Sequence, residues 1–229
     1  MYIFFQYHWQ VMRRRLKSQR EGKDKMTNEQ YHEFIQSYED AKQILLTRLD
    51  VLNHNLYGES SSKPIHHIQH RIKKKKSLEE KLKKKGKEPS VMNAKDYLQD
   101  IAGIRVICYF VDDIYNLVEI LKSQSDLIMI RERDYIAEPK PNGYRSYHVI
   151  VGVPVYCLDG MEYFPVEIQF RTMSMDFWAS MEHRISYKKE IEDRELLAAE
   201  LREYANMLVE IEKRFEQHNE QHRYKGDQE

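Results

Sequence analysis

Cysteine is scarce in this chain. Only Cys108 and Cys157 occur among 229 residues, without CxxC spacing or a neighbouring Cys/His cluster. Nothing therefore points to a disulfide framework; both thiols read as small apolar residues on buried strands, and a reducing cytoplasm is the expected setting. A bilayer-spanning run is missing as well. The opening MYIFFQYHWQV is too short and is broken by Gln6, His8 and Gln10. Its cationic residues Arg13–Arg15 follow the apolar stretch, whereas a signal peptide carries charge ahead of it, so no membrane is expected. Residues 1–25 read either as an arm or as sequence ahead of a translation start at Met26. Net charge is also absent, with 37 Lys and Arg against 37 Asp and Glu. Neither the phosphate loop GxxxxGK[ST] nor the dinucleotide fingerprint GxGxxG occurs, and GxSxG and HExxH are missing too. These absences remove P-loop, Rossmann, serine-hydrolase and zincin chemistry from consideration.

What is present begins with an uneven distribution of charge. Residues 71–87 carry ten Lys or Arg against Glu79 and Glu80, a local excess of +8 that the remainder balances with −8. A neutral whole with one dense cationic segment points to a local polyphosphate site; non-specific RNA binding is the rival use. Hydrophobic residues make up 41% and charged residues 32%, which suits a globular core rather than disorder.

Apolar residues Tyr31, Phe34, Tyr38, Ala41, Leu45, Leu49 and Leu52 recur at helical intervals and predict a helix over residues 28–56. Gly58 and the ESSSKP that follows predict a loop, and a second helix is expected from Pro64 through the basic segment to Gly86. A short helix near Ala94–Leu98 precedes Asp100. Residues 104–110 read as a buried strand, Asp112–Leu121 as a helix, and 127–135, 144–156 and 162–172 as strands. The Asp159–Gly160 pair closes a hairpin between the last two. Further on, Leu197, Leu201, Tyr204, Leu208, Ile211 and Phe215 form a seam for packing on the domain or for self-association. The expected fold is α/β of an α+β-like kind: a mixed sheet with an antiparallel hairpin, flanked by helices at both chain ends. The expected division is an arm (1–27), one main domain (28–190), a C-terminal helix (191–218) and a polar tail (219–229).

Three segments carry candidate chemistry. In VEIQFRT, strand alternation puts Glu167, Gln169 and Arg171 on one face and Val166, Ile168 and Phe170 on the other. In DIAGIRV, Asp100 stands at the mouth of a strand, Gly103 allows close approach, and Arg105 lies within the strand. Asp100 and Glu167 could hold one Mg²⁺ together with substrate phosphates and water. In ERDYIAEPKPNGYRSYH, Pro139, Pro141, Asn142 and Gly143 shape a rigid loop offering Lys140; Tyr144, Ser146 and His148 then alternate onto one side. A tyrosine ring there suits stacking on a purine. Within the basic segment, Lys73, Ser77 and Lys81 fall at four-residue steps and could follow a triphosphate.

The ordered set R-x-K-x3-S (Arg71, Lys73, Ser77), D-I-x-G-x-R (Asp100–Arg105), the proline-loop motif (Asp134–His148) and E-I-Q-x-R-T (Glu167–Thr172) resembles the synthetase domain of RelA/SpoT-type alarmone synthetases. The segment FWASMEHRISYK (177–188) is similar to the small, single-domain branch. That resemblance implies a nucleotidyltransferase-like synthetase fold. It also implies transfer of pyrophosphate from ATP to the 3′-hydroxyl of GDP or GTP, giving AMP and ppGpp or pppGpp, as in the stringent response. By motif position it implies Mg²⁺ on Asp100 and Glu167, with Glu167 sharing the metal or acting as general base. Arg71 and Arg105 would flank the adenine of ATP, while Lys73, Ser77 and Lys81 would meet its phosphates. Tyr144 would stack on guanine, with Lys140, Asn142, His148 and Gln169 on the acceptor side. A homotetramer follows from the same resemblance. Two departures stand out. Asp176 occupies a position where many relatives carry Asn. The long relatives' hydrolase domain, marked by a His-Asp pair, has no counterpart, since none of the ten histidines precedes an aspartate. Two other readings stay open: a magnesium-dependent nucleotidyltransferase with another acceptor, and an RNA-binding regulator using the basic helix.

Overall fold

The computed structural model describes residues 26–56, 63–186 and 194–226. Of the expected arm only Met26 and Thr27 fall inside that set, and both are anchored. Met26 is buried and its N–H bonds to the Pro89 carbonyl, while Thr27 caps the first helix, α1 (Asn28–Asn55). Thr27 Oγ1 accepts from the Gln30 N–H and Gln30 Oε1 accepts from the Thr27 N–H, a reciprocal pair that satisfies two otherwise orphaned donors. The expected apolar stripe is real: Tyr38, Ala41, Leu45 and Leu49 are buried, and Tyr31, Phe34 and Leu52 pack beside them. Full burial of a side chain such as Leu45 contributes about 1.5–3 kcal/mol. The loop expected around Gly58 lies outside the described residues.

Among the described residues, five strands form one mixed sheet: β1 (Ile65–Ile72), β2 (Ala102–Cys108), β3 (Ile128–Asp134), β4 (Tyr147–Cys157) and β5 (Gly160–Thr172), in the order β1-β2-β5-β4-β3. Only β2 and β5 run parallel. The connections carry α2 (Lys75–Lys84), α3 (Val91–Tyr97) and α4 (Val111–Ser123); α5 (Met173–Ser186) and α6 (Arg194–Gly226) follow the sheet. Residues Ile104, Val106, Val149, Val151, Val166, Ile168 and Phe170 share one buried cluster with α1 and with Ile114, Leu117 and Leu121 of α4. The opposite face of β2 and β5 is polar. The hairpin turns at Leu158–Asp159, with Gly160 at φ +122, a conformation L side chains rarely adopt. Cys108 is buried as expected, but Cys157 is exposed at the end of β4. No helix among the described residues is long and apolar enough to cross a membrane.

One expected element is wrong in kind. The segment from Pro64 is not a helix throughout; it begins as β1 and becomes helical only at Lys75. Ile65, Ile68 and Ile72 recur at three- and four-residue steps that fit a helix. A bulge between Ile65 and His67 lets a strand satisfy the same spacing: Ile65 faces Cys108, Ile68 faces Val106 and Ile72 faces Ala102, all toward the core. β2 would otherwise expose its backbone edge, and pairing with β1 satisfies it. Lys73, Ser77 and Lys81 therefore do not form one helical face. Lys73 precedes α2, while Ser77 and Lys81 lie one turn apart on it.

The C-terminal seam is divided. Leu201 and Ala205 are buried, with Leu197 and Leu208 beside them and Trp178 and Tyr144 in the same cluster. Tyr204, Ile211 and Phe215 are exposed. The helix runs on to Gly226, past the boundary of the expected tail. α6 also presses on the proline loop. Gly143 sits at φ +92, and a Cβ there would meet Ala205 Cβ at 2.8 Å and the Arg202 Cα at 2.9 Å. Gly143→Ala is expected to cost about 1–3 kcal/mol by overpacking and strain, read as a lowered melting temperature.

Candidate active site

The polar face is assembled by strand register. Arg71 of β1 stands opposite Gly103 of β2, and Gly103 opposite Glu167 of β5. One step along, Gln69, Arg105, Gln169 and His148 form a second row across four strands. Gly103 is the low point between them: Arg71 lies beside it, close enough that an added Cβ would be in ordinary contact with Arg71 Cγ and Nε at 3.9 Å.

Asp100 precedes β2 by two residues, next to the turn where the Lys73 N–H bonds to the Ile101 carbonyl. Its Oδ2 takes Lys73 Nζ at 2.6 Å and Lys81 Nζ at 2.5 Å. Burial opposes ionisation of this carboxyl, yet the two lysine contacts outweigh it and hold its pKa below the ordinary value. Asp100 Oδ1 is buried and has no hydrogen-bond partner among the described residues. Ser77 is exposed on α2.

Around the proline loop, the Asn142 side-chain oxygen accepts from the Tyr144 N–H at 3.2 Å, and the Gly143 N–H bonds to the Lys140 carbonyl. Asn142 thus shapes the turn that presents Tyr144. Ser146, expected beside Tyr144 and His148, is instead fully buried and donates to the Phe170 carbonyl, fastening the loop to β5. The Tyr144 ring meets Tyr135, His148 and Trp178 edge-on, with Lys140 Nζ 4.8 Å and Arg171 Cζ 5.4 Å from its centroid. Lys140 is exposed, whereas Arg171 is buried.

Tyr144, His148, Gln169 and Glu167 are joined through Arg171. Arg171 Nη2 donates to the Tyr144 hydroxyl at 3.0 Å and to Gln169 Oε1 at 3.4 Å. The Tyr144 hydroxyl lies 2.8 Å from His148 Nε2, and His148 Nδ1 faces Glu167 Oε1 at 3.8 Å. Burial, then Arg171 and Lys140, push the His148 pKa down to about 4. Asp176, at the start of α5, binds Arg171 at 3.0 Å and Arg105 at 3.2 Å through the same Oδ1. Burial lowers the Arg105 pKa, as does repulsion from Arg171, while Asp176 opposes the shift.

The structure thus brings the expected residues into two groups. Asp100, Lys73 and Lys81 form one; Tyr144, His148, Gln169 and Glu167 form the other, with Lys140 above the tyrosine. Arg71 and Arg105 stand on β1 and β2, the two strands to one side of β5 in the sheet order. Sequence reasoning gave Arg171 a face but no partner, and left Asp176 unassigned. The alternation in VEIQFRT signalled Arg171; nothing local signals that a helix start returns Asp176 to it.

The family profile described as "Region found in RelA / SpoT proteins" matches residues 70–192. The GTP pyrophosphokinase YwaC of Bacillus subtilis is 42% identical over 170 residues, covering 74% of this chain and 81% of that protein. The GTP pyrophosphokinase YjbM of the same organism is 37% identical over 163 residues, covering 71% and 76%. Among solved structures, the small alarmone synthetase 1 from Bacillus subtilis bound to its product pppGpp superposes with a TM-score of 0.74 at 32% identity, covering 85% of this chain and 98% of that one. The profile match and these likenesses agree: the chain belongs to the RelA/SpoT family, as a small alarmone synthetase.

Proposed function

We infer that this chain transfers the β,γ-pyrophosphate of ATP to the 3′-hydroxyl of GDP or GTP, releasing AMP and forming ppGpp or pppGpp. The observation that carries the reading is the polar face itself. A half-buried acid gripped by two lysines stands on one side, a carboxylate in mid-strand at the centre, and a tyrosine loop on the other. Its relatives are named GTP pyrophosphokinases, and neighbouring synthetase structures hold pppGpp or AMPCPP.

Arg71 and Arg105 are assigned to the adenine side of ATP, and Lys73, Ser77 and Lys81 to its phosphates. Tyr144 is assigned to the guanine ring, with Lys140, His148 and Gln169 around the acceptor and Asn142 holding the loop. In the reaction the 3′-oxygen bonds to the β-phosphorus as the bond from that phosphorus to the α–β bridging oxygen breaks. The bridging oxygen leaves with AMP, and the 3′-hydroxyl proton passes to Glu167. Such a transfer needs placement and charge neutralisation more than covalent help from the protein.

Magnesium fits the acids present. Asp100 Oδ1 is buried without a partner among the described residues, and Glu167 lies on the strand adjoining β2. These two residues would hold the ion, which when bound would offset charge on the donor phosphates. Lys73 and Lys81 keep Asp100 ionised and are themselves suited to phosphate. The further assignments are a cytoplasmic setting, synthesis without hydrolysis, and a homotetramer whose contacts use the exposed Tyr204, Ile211 and Phe215.

Incubation with ATP, GDP and Mg²⁺ should yield AMP and a guanosine tetraphosphate; unchanged nucleotides would refute the assignment. Glu167→Gln should lower kcat about 10²–10⁴-fold with a near-native melting temperature, since it removes the base and keeps the shape. Added ppGpp should survive the purified protein, and pyrophosphate release would reject the synthesis-only reading. A carboxyl whose pKa is depressed by folding adds stability that is complete above its unfolded pKa and lost as pH falls through the folded value. The stability gap between wild type and Asp100→Asn should therefore narrow as pH drops below 3.8, followed by thermal melts.

A further inference from the structure

Arg171 is a charged side chain only 6% exposed, set among polar groups that can each be oriented in two ways. The Tyr144 hydroxyl can give or accept a hydrogen bond, neutral imidazole has two tautomers, and the Gln169 amide has two flips. Arginine has no such freedom, because a guanidinium only donates. Asp176 accepts from Nη1, and Nη2 is directed at both Tyr144 and Gln169.

The consequences run along both branches. The Tyr144 oxygen accepts from Arg171, so its hydrogen is free for its other partner, His148 Nε2, at 2.8 Å. A ring nitrogen that accepts carries no proton, which leaves the imidazole proton on Nδ1, the nitrogen facing Glu167 Oε1. On the second branch, Gln169 must turn its oxygen toward Arg171, so its NH₂ faces Glu167 Oε2, at 3.3 Å. Both oxygens of one carboxylate then face N–H groups.

We propose that Arg171 is a positioning residue for the transfer: its donor-only guanidinium, held by Asp176, sets the direction of two hydrogen-bond chains that end as N–H groups on Glu167. The proposal rests on Glu167 being the base. Tyr144 gains a second duty from it, its ring serving the purine and its hydroxyl fixing the histidine tautomer. The 3.8 Å gap from Nδ1 to Glu167 exceeds a hydrogen bond, and catalytic contacts of this kind commonly tighten only with substrate bound. With the opposite tautomer a lone pair would face the carboxylate and repel it.

The tautomer is directly observable in the full chain. Nitrogen-15 imidazole spectra at neutral pH, assigned by loss of signals in His148→Gln, should show His148 protonated at Nδ1. Tyr144→Phe keeps the ring and removes the hydroxyl, so it should release His148 to the Nε2–H form common in water. The same variant should lower kcat about 10–100-fold, the usual range for losing a supporting partner, with the KM for GDP close to wild type. Arg171→Lys should lower kcat similarly, and the double variant should fall well short of the product of the two losses, as expected for residues on one chain. Detection of Nε2–H or imidazolium at His148 in the wild type would overturn the proposal. So would an unchanged tautomer in Tyr144→Phe, an unchanged kcat, or fully multiplicative losses. Failure of the wild type to form AMP would instead sink the proposed function, and the spectra would still report whether Arg171 directs the network.

Discussion

Parallel pairing of β2 with β5 is the constraint from which the site follows. It sets Gly103 beside Glu167 and Arg105 beside Gln169, and it brings the mouth of β2, where Asp100 lies, alongside the strand that carries the other carboxylate. A one-residue slip of either strand would turn its polar members toward the core and its branched members toward solvent. The apolar face opposes such a slip. Ile104, Val106, Val166, Ile168 and Phe170 are buried against α1 and α4, so the register that fills the core is also the one that aligns the acids. Stability and chemistry are specified here by alternate residues of the same two strands.

Charge on the polar face follows a common plan. One oxygen of Asp100 gathers Lys73 and Lys81, and one oxygen of Asp176 gathers Arg105 and Arg171. Each carboxylate holds two cations in place, leaving a local excess of positive charge beside it. Partly buried ion pairs of this kind are weak sources of stability, because desolvation offsets much of the attraction. Their stronger effect is to limit where the cations can go. Polyphosphate substrates bring several negative charges, and cations already placed need less reorganisation to meet them.

Much of this was legible in sequence because strand alternation is a short-range rule. VEIQFRT could be divided into a core face and a polar face from spacing alone, and the proline loop announced itself through Pro139, Pro141 and Gly143. β1 was not legible as a strand, because a bulge gives its isoleucines helical spacing and because its partner residues lie 30 to 43 positions away. Asp176 was recognised as a departure but not as a partner, since its contact with Arg105 joins the start of one helix to a strand seventy positions earlier. Spacing reveals which way a side chain faces. It does not reveal what arrives to meet it. The seam of α6 shows the same limit: periodicity identified an apolar stripe, but only packing divides it into Leu201, turned inward, and Phe215, left exposed.

The acceptor side of the site depends on that helix as much as on the sheet. The Trp178 indole N–H donates to the Leu201 carbonyl of α6, and Trp178 also stands edge-on to Tyr144. Two residues before it on α5, Asp176 holds Arg171, which in turn holds the Tyr144 hydroxyl. Gly143 admits the backbone of α6 so closely that even a methyl group would collide. Tyr144 is therefore fixed from three directions: by its own turn through Asn142, by the arginine through its hydroxyl, and by α5 and α6 along its edge. A surface loop held only by its ends would sample many ring orientations, and ordering it on binding would draw on binding energy. Here packing has done that ordering before any nucleotide arrives. The exposed Tyr204, Ile211 and Phe215 sit on the same continuous helix as Ala205, so one element carries both a solvent-facing and a loop-facing surface.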